Sequence, residues 1–430
     1  MMEVKTLDSL CLKITDGAHH SPKEFQGGIP MFSVKDMTDH GFDKSRVKTI
    51  SKEDYKKLKS SGCEPKDNDV LIAKDGSVMK HVFKYKHYED CALLSSIAIL
   101  RPNMEIIDPD YLVYSILNPK VKGNIISNYV SGSGVPRIVL KDFKKIEIKV
   151  PEIRIQKKVS QFLNQINSKI ELNQKMNETL EEIAKTLFKS WFIDFDPVRA
   201  KAEGRSTGLS KEISDLFPDS FQDSELGEIP KGWSKRVITD IADKISDKYK
   251  KDEDWSNEKL IDLSRMPSNS ISLNSYGRGE ELSTSVCKFK KYDFLFGSIR
   301  PYFYKAGICP YDGVSNTSVF ILRAKKIYDK EFMYCYSSSD FTFEKSIQYS
   351  DGTKMPIIKW KDFKEFPFAL PNEELRKQFS SIINPIVDKI ILNIDEQEVL
   401  SKLRDLLLPK LISGELQIPD AENLIEEAGS

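Results

Sequence analysis

Two stretches of the chain carry apolar residues at seven-residue intervals. Elsewhere the pattern breaks into short β-rich runs punctuated by Gly, Pro, Asn and Asp. In the first stretch Val159, Ile166, Leu180 and Leu187 keep that interval, with Ile155, Phe162, Met176 and Ile183 three or four residues to one side or the other. Such spacing draws a stripe along a long helix and asks for a partner helix. The second stretch supplies one: Phe379, Ile386, Leu400 and Leu407 each stand 220 residues after a counterpart in the first. At 1.5 Å per residue, helices of about 40 residues reach roughly 60 Å. Asn173 and Asn393 fall on the stripe itself. A polar residue there can fix register at some cost in stability, unless the stripe drifts and leaves both side chains solvated.

The same offset extends beyond the helices. Gly132, Pro136, Ile138, Lys141, Asp142, Phe143, Lys144 and Pro151 match Gly352, Pro356, Ile358, Lys361, Asp362, Phe363, Lys364 and Pro371 without a gap. One ancestral unit, a globular part followed by a helix, was therefore duplicated. In the first globular part GIPMFSVKDM, DNDVLIAKDGS and ALLSSIAILRP have strand chemistry, DPDYLVYSILNPKVKGNIISNYV contains a helix, and SGSGVPRIVLKDFKKIEIKVP gives a loop, a turn and a last strand. KYDFLFGSIRP, NTSVFILRA and DGTKMPIIKWKDFKEFPFALP repeat that grammar, whereas SRMPSNSISLNSYGRGEELSTSV has no counterpart. The fold class expected is mixed α+β, with two α/β domains, two long helices and an internal repeat. The boundaries are 1–150 and 225–370 for the domains, 151–199 and 371–415 for the helices, 200–224 for a connector and 416–430 for an acidic tail. Pro151 and Asn372 suit helix starts, Pro197 is expected to end the first helix region, and Pro409 to kink or end the second.

Composition narrows the class. The 430 residues are 40% hydrophobic and 30% charged, which is ordinary for a globular protein. No apolar run approaches the roughly 18 residues of a membrane span, and MMEVKTLDSLCLKI lacks a signal-peptide core, so the cytoplasm is expected. The six cysteines form no CxxC pair, and all five histidines lie in the first half, which excludes a zinc site shared by both repeats. Net charge is zero, yet residues 1–150 hold 24 basic against 20 acidic side chains, and residues 225–370 hold 24 against 21. A mild local excess of that kind permits phosphate contacts without demanding them.

Catalytic signatures are missing. Adenine methylation needs an Asn/Asp-Pro-Pro-aromatic motif, and NPKV at Asn118 lacks its second proline and its aromatic residue. No GxxxxGK[ST] phosphate loop is present. Asp67, Asp69 and Lys74 could be drawn as a metal-dependent nuclease, but such a scatter is unspecific in a chain this charged. No catalytic residue, metal site or bound cofactor is expected.

For DNA contacts, the loops that close the domains offer Ser131, Ser133 and Arg137 in one, and Ser350, Thr353 and Lys354 in the other. Small residues let backbone approach phosphate while hydroxyls and cations donate; alternatively the glycines only make tight turns. His19 and His20 could touch phosphate or base, or lie in an ordinary exposed loop. Lys74, Ser77, Lys80 and His81 follow a strand where a groove-facing loop could begin. Arg300, Tyr302, Tyr304 and Lys305 alternate like one strand face, and an arginine can read guanine through two hydrogen bonds; a solvated edge strand fits the same pattern. Arg265 and Arg278 stand in the segment without a counterpart. Helix–helix packing is expected from Val159, Phe162, Ile166, Asn173, Leu180 and Leu187 against Phe379, Ile386, Asn393, Leu400 and Leu407. Trp191 and Phe192 would either cap that packing or form a docking surface.

LNQKMNETLEEIAKTLFKSWFIDFDPVRAKAEG, the connector DLFPDSFQDSELGEIPKGW and the ending LRDLLLPKLISGELQI closely resemble the specificity subunits of Type I restriction-modification enzymes. DGAHHSPKEFQGGIPMFSVKDM is similar to the DGTH-type opening of their target-recognition domains, with Ala18 where threonine is usual. The resemblance covers essentially the full length. It implies two target-recognition domains, each reading half of a split double-stranded DNA sequence. It also implies an antiparallel pair of helices as spacer, with pseudo-two-fold symmetry. The chain would be non-catalytic and would dock two methyltransferase subunits. Two restriction/translocase subunits would complete the assembly, with S-adenosylmethionine, ATP and Mg held by those partners. Two other classes, an enzyme modifying DNA unaided and a helical adaptor binding protein only, compete with this one.

Overall fold

The computed structural model describes residues 2–87, 89–132, 134–249, 253–283 and 286–421. Ser133 and most of the acidic tail lie outside the described residues. Contacts divide the chain into two compact units, one of residues up to 168 together with those from 401 onward, the other of residues 169–400.

In the first unit a four-stranded antiparallel sheet runs in the order Cys11–Asp16, Ile97–Pro102, Val70–Ala73, Val82–Lys84. Val70–Ala73 is buried along its whole length, as a central strand of Val, Leu, Ile and Ala should be. A second sheet joins Lys48–Ile50, Ile29–Phe32 and Ala92–Leu93. The long helical expectation becomes two helices, Pro109–Leu117 and Pro119–Tyr129. Asp108 caps the first through the Tyr111 N–H, and Pro119 opens the second, so Asn118 marks the break. Glu3–Thr6 pairs with Glu147–Val150 and brings the chain to the first long helix.

The second unit repeats this plan. Its antiparallel sheet has the order Ala242–Ile245, Val319–Ala324, Phe294–Gly297, Ala306–Ile308. Helices Lys330–Ser337 and Asp340–Gln348 follow, and Ser234–Val237 pairs with Pro367–Leu370 before the second long helix.

The long helices run Ile153–Phe192 and Glu373–Ser413, 40 and 41 residues. The Asn372 side chain accepts the Leu375 N–H at 2.9 Å and starts the second. Pro197 does not end the first: the helix stops at Phe192, Phe195 takes a left-handed backbone (φ 57°), and Pro197 sits in the first turn of a short helix, Asp196–Ala202. Proline suits that place because the first-turn N–H needs no partner. Pro409 does not end the second helix either. It loses one hydrogen bond close to the end, while Leu407, Leu408, Leu411 and Ile412 around it are buried.

Within the second unit the helices pair antiparallel. Phe188 packs on Phe379 at 6.0 Å, Asn177 donates to the Ile390 carbonyl at 3.2 Å, and Asn173 donates to Glu396 at 2.8 Å. In the first unit Arg404 donates to Asn167 at 3.1 Å. The inward face of the first helix steps through Val159, Leu163, Ile166, the half-buried Ile170, Asn173, Asn177, Glu181, Ala184 and Phe188. Those steps of three and four follow 3.6 residues per turn, not the seven-residue interval, so Ile155 and Ile183 are exposed. Phe162 and Leu407 are buried, whereas Leu180, Leu187, Ile386 and Leu400 lie at the half-buried edge.

Asn173 and Asn393 are fully buried, not solvated. Asn393 donates to Asn177 Oδ1 at 2.7 Å, and Gln397, the repeat counterpart of Asn177, is buried beside them. The duplication thus places a polar layer at the middle of the pair. Trp191 and Phe192 are buried among Phe379, Phe217, Phe332 and Trp233, which removes them as a docking surface. Phe217 belongs to the connector, whose amphipathic piece is reduced to one helical turn, Lys211–Ser214. All six cysteines are unpaired, and no described helix is long and apolar enough to cross a membrane.

Candidate nucleic-acid interface

In each domain a central strand ends in a tight turn, and that turn is tied to the Gly-containing closing loop by backbone alone. In the first, Gly76 N–H donates to the Pro136 carbonyl at 2.8 Å and Ile138 N–H to the Lys74 carbonyl at 3.0 Å. In the second, Arg300 N–H donates to Pro356 at 2.7 Å and Ile358 N–H to Ser298 at 2.9 Å. The loops are closed alike: Ser131 and Arg137 exchange both backbone hydrogen bonds, as do Asp351 and Ile357. Gly132 and Gly352 have φ of 105° and 102°, and a Cβ on Gly132 would meet the Val135 carbonyl at 2.5 Å. The glycines therefore serve the tight turn, and the same turn presents the loop tips to solvent.

Two groups of residues far apart in sequence thus converge on one patch per domain. The turn that carries Lys74, Ser77, Lys80 and His81 is paired through its backbone to the loop of Ser131 and Arg137 in the first; the turn of Arg300, Tyr302 and Tyr304 is paired likewise to the loop of Ser350, Thr353 and Lys354 in the second. Arg137, Lys80, Ser77, Ser131, Arg300, Thr353 and Lys354 are exposed. Lys74 is buried, with its ammonium 3.3 Å from Asp16 and 3.2 Å from Asp75. Its charge is spent within the domain. Asp16 also holds His19 at 3.4 Å, which brings that loop to the patch, and His20 beside it is exposed. His81 Nδ1 lies 2.7 Å from Asp39.

Arg300 to Lys305 do not form a strand face. The strand ends at Gly297, and Pro301–Phe303 is a 3-10 turn flanked by Arg300 and Tyr304, each left-handed with φ of 52°. Pro301 fixes its own φ and cannot donate to a ladder, so the chain turns there. Tyr302 is 44% and Phe303 43% exposed, their rings 4.7 Å apart, while Tyr304 turns inward onto Phe343 at 4.7 Å. Lys305 donates to the Leu263 carbonyl.

Two other candidates are committed elsewhere: Ser350 donates to the Ser346 carbonyl, and Arg265 holds Asp262 and Glu281. Arg278 remains exposed, 3.7 Å from an equally exposed Glu280. Sequence reasoning passed over Val135, Phe303 and Met355, apolar yet exposed on the two patches. The signal was available: Val135 and Met355 are repeat counterparts, each just before a proline. Cations beside an exposed apolar tip and a tilted, half-exposed aromatic pair can neutralise phosphate, hydrogen-bond base edges and press on base or methyl surfaces.

Two copies of one patch-bearing domain, each followed by a long helix, form the architecture that a known family model describes. It matches residues 1–182 and again 230–402 under the description "Type I restriction modification DNA specificity domain". The chain belongs to this family. Among curated relatives, the MjaIX specificity subunit of Methanocaldococcus jannaschii is 27% identical over 325 residues, covering 72% of this chain and 70% of the relative. The HindI specificity subunit of Haemophilus influenzae is 23% identical over 398 residues, covering 78% and 84%. The crystal structure of a Type I restriction-modification S subunit from M. genitalium aligns over 96% of both chains with a TM-score of 0.52 at 17% identity, a likeness of fold. The role is that of a specificity subunit, the non-catalytic DNA-binding component of a Type I system.

Proposed function

We propose that each domain of this specificity subunit reads one half of a bipartite, asymmetric double-stranded DNA target through its turn-and-loop patch. The helix pair sets the distance between the halves and docks two methyltransferase subunits, and two restriction/translocase subunits complete the assembly. S-adenosylmethionine, ATP and Mg belong to those partners.

One observation carries this reading. The same backbone hydrogen bonds build the patch in both domains, while the exposed side chains differ: Ser77, Lys80 and Arg137 in one, Arg300, Tyr302 and Lys354 in the other. One framework with two sets of donors suits two unlike half-sites better than a palindrome. Readers on one face of a duplex must stand about one helical turn apart, roughly 34 Å, or a multiple of it. A stiff helix pair holds such a distance better than a flexible linker.

The test is a methylation map of DNA from cells expressing this chain with its methyltransferase, against the methyltransferase alone. A split motif with methyladenine in both halves, present only with the chain, is the expected result. Replacing residues 1–150 by another such domain should then change one half only. A soluble complex that yields no new motif defeats the proposal.

A further inference from the structure

Beyond the hydrophobic core it shares with both long helices, the second domain is held to the spacer by a carboxylate grip that its own helix supplies only in part. Glu181, on the first long helix, is 5% exposed and directs both carboxylate oxygens at three consecutive residues of the segment without a repeat counterpart. Oε2 accepts the Ile271 N–H at 3.0 Å, and Oε1 accepts the hydroxyls of Ser270, at 2.9 Å, and Ser272. On the second long helix Glu398 accepts the Tyr276 hydroxyl at 2.7 Å and the Lys259 ammonium at 3.1 Å. Lys259 in turn lies 4.3 and 4.0 Å from the ring centres of Tyr276 and Tyr311. The two carboxylates thus grip one segment from both helices.

That segment stands directly behind the candidate reading turn. Asn269, left-handed at φ 58°, donates its N–H to the Tyr304 carbonyl at 3.0 Å, and Ile308 N–H donates to the Ile271 carbonyl at 2.9 Å. The path from the helix carboxylate to the turn Arg300–Tyr304 is therefore three residues of backbone. The repeat does not reproduce the grip. The position matching Glu181 is Ser401, and the residue matching Glu398 is the exposed Glu178.

We propose that Glu181 and Glu398 are positioning residues that lock the second recognition domain against rotation on the spacer, and so hold the gap length that the subunit accepts. The inference rests on the bipartite-target reading above. Changing a gap by one base pair moves a half-site about 3.4 Å along and about 35° around the duplex axis. A domain free to pivot on its helices could follow that displacement; a gripped one could not. Removing a carboxylate that accepts one N–H and two hydroxyls leaves the buried Ile271 N–H and Ser272 hydroxyl and the half-buried Ser270 hydroxyl without that partner, which loosens the segment on the helix.

The experiment uses the full chain in complex with its methyltransferase. The wild-type target is mapped first, then methylation rates are measured on duplexes whose gap is shortened or lengthened by one base pair. Glu181→Ala should keep the half-site bases and lower the preference for the native gap about tenfold, equivalent to about 1.4 kcal/mol of discrimination. Glu181→Gln, whose amide can rejoin the N–H and the hydroxyls, should restore the preference. The double variant Ser270→Ala/Ser272→Ala approaches the same grip from the domain side and should relax the gap as Glu181→Ala does. Wild-type gap preference in a folded, methylating Glu181→Ala and in the serine double variant overturns the inference alone. Absence of any split motif with the wild-type chain overturns the underlying reading instead.

Discussion

In the first domain Asp69 takes the Arg101 guanidinium at 2.7–2.8 Å with both carboxylate oxygens and also accepts the Lys66 N–H. In the second, Asp293 holds Arg323 at 2.7 Å with the same two-pronged geometry and accepts the Lys290 N–H. Both aspartates are 1% exposed. A few residues further on, the likeness ends. Lys74 is buried and neutralised where the second domain has Ser298, and the turn beyond carries Gly76 in one copy and the left-handed Arg300 in the other. After duplication the groups that hold the strand ends stayed alike, because a buried carboxylate that loses its guanidinium is costly. Exposed turn positions carry no such cost, so they were free to take up different donors. Lys74 and Ser298 are both buried yet unlike, so the divergence begins just beneath the surface, beyond the paired aspartates.

That boundary can be broken from the scaffold side with the largest effect. Asp293→Ala strands a half-exposed arginine and an unpaired N–H and is expected to destabilise the second unit by about 2–4 kcal/mol. Asp69→Ala should do as much in the first, and denaturant unfolding of the two variants measures both. A large effect in one domain and none in the other would show that the shared pair is not the shared support.

On the reader side the effects are smaller and selective. Arg300→Ala should cost about 1–3 kcal/mol in binding and relax sequence preference at a position in one half-site only. Lys354→Ala should instead weaken binding evenly across sequences and lower the salt slope by about one. Binding isotherms on duplexes with single-base changes, run at several salt concentrations, separate the two. An even loss from Arg300→Ala would make it a phosphate contact.

The smallest expected effect concerns the Glu181 anchor, whose repeat counterpart is Ser401. Burial pushes the Glu181 carboxyl above its ordinary range, against the opposing hydrogen bonds from Ser272, Ile271 and Ser270 and the nearby charge of Lys185. A carboxyl raised in the fold contributes its stability below the unfolded value, and that contribution is lost as pH rises through the folded value. Glu181→Gln removes this loss. The melting temperature of the variant relative to wild type should therefore climb from the ordinary glutamate range upward and level off above the raised value. A difference that is flat with pH would place the carboxyl in water.

Much of this molecule is local and therefore legible along the chain. The duplication, the two long helices, the strand runs and the Gly loops follow from spacing and turn chemistry that no distant residue can alter. Ser131 with Arg137, and Thr353 with Lys354, were legible as loop residues for the same reason. Availability was not. Lys74, Arg265 and Tyr304 have the right chemistry for DNA, but Asp16, Glu281 and Phe343 take them up, and those partners come from elsewhere in the chain. The apolar stripe foretold a paired helix but not its buried face, because a helix turns 3.6 residues while the apolar interval was seven. Over four such intervals the face drifts by about 80°, which brings Asn173, Asn177 and Glu181 inward and turns Ile183 out. Spacing and turn chemistry along the chain already require two similar domains, each joined to a long helix. The tertiary structure decided which charges remain exposed and which carboxylates became anchors, because ion pairing and burial depend on neighbours that only folding brings together.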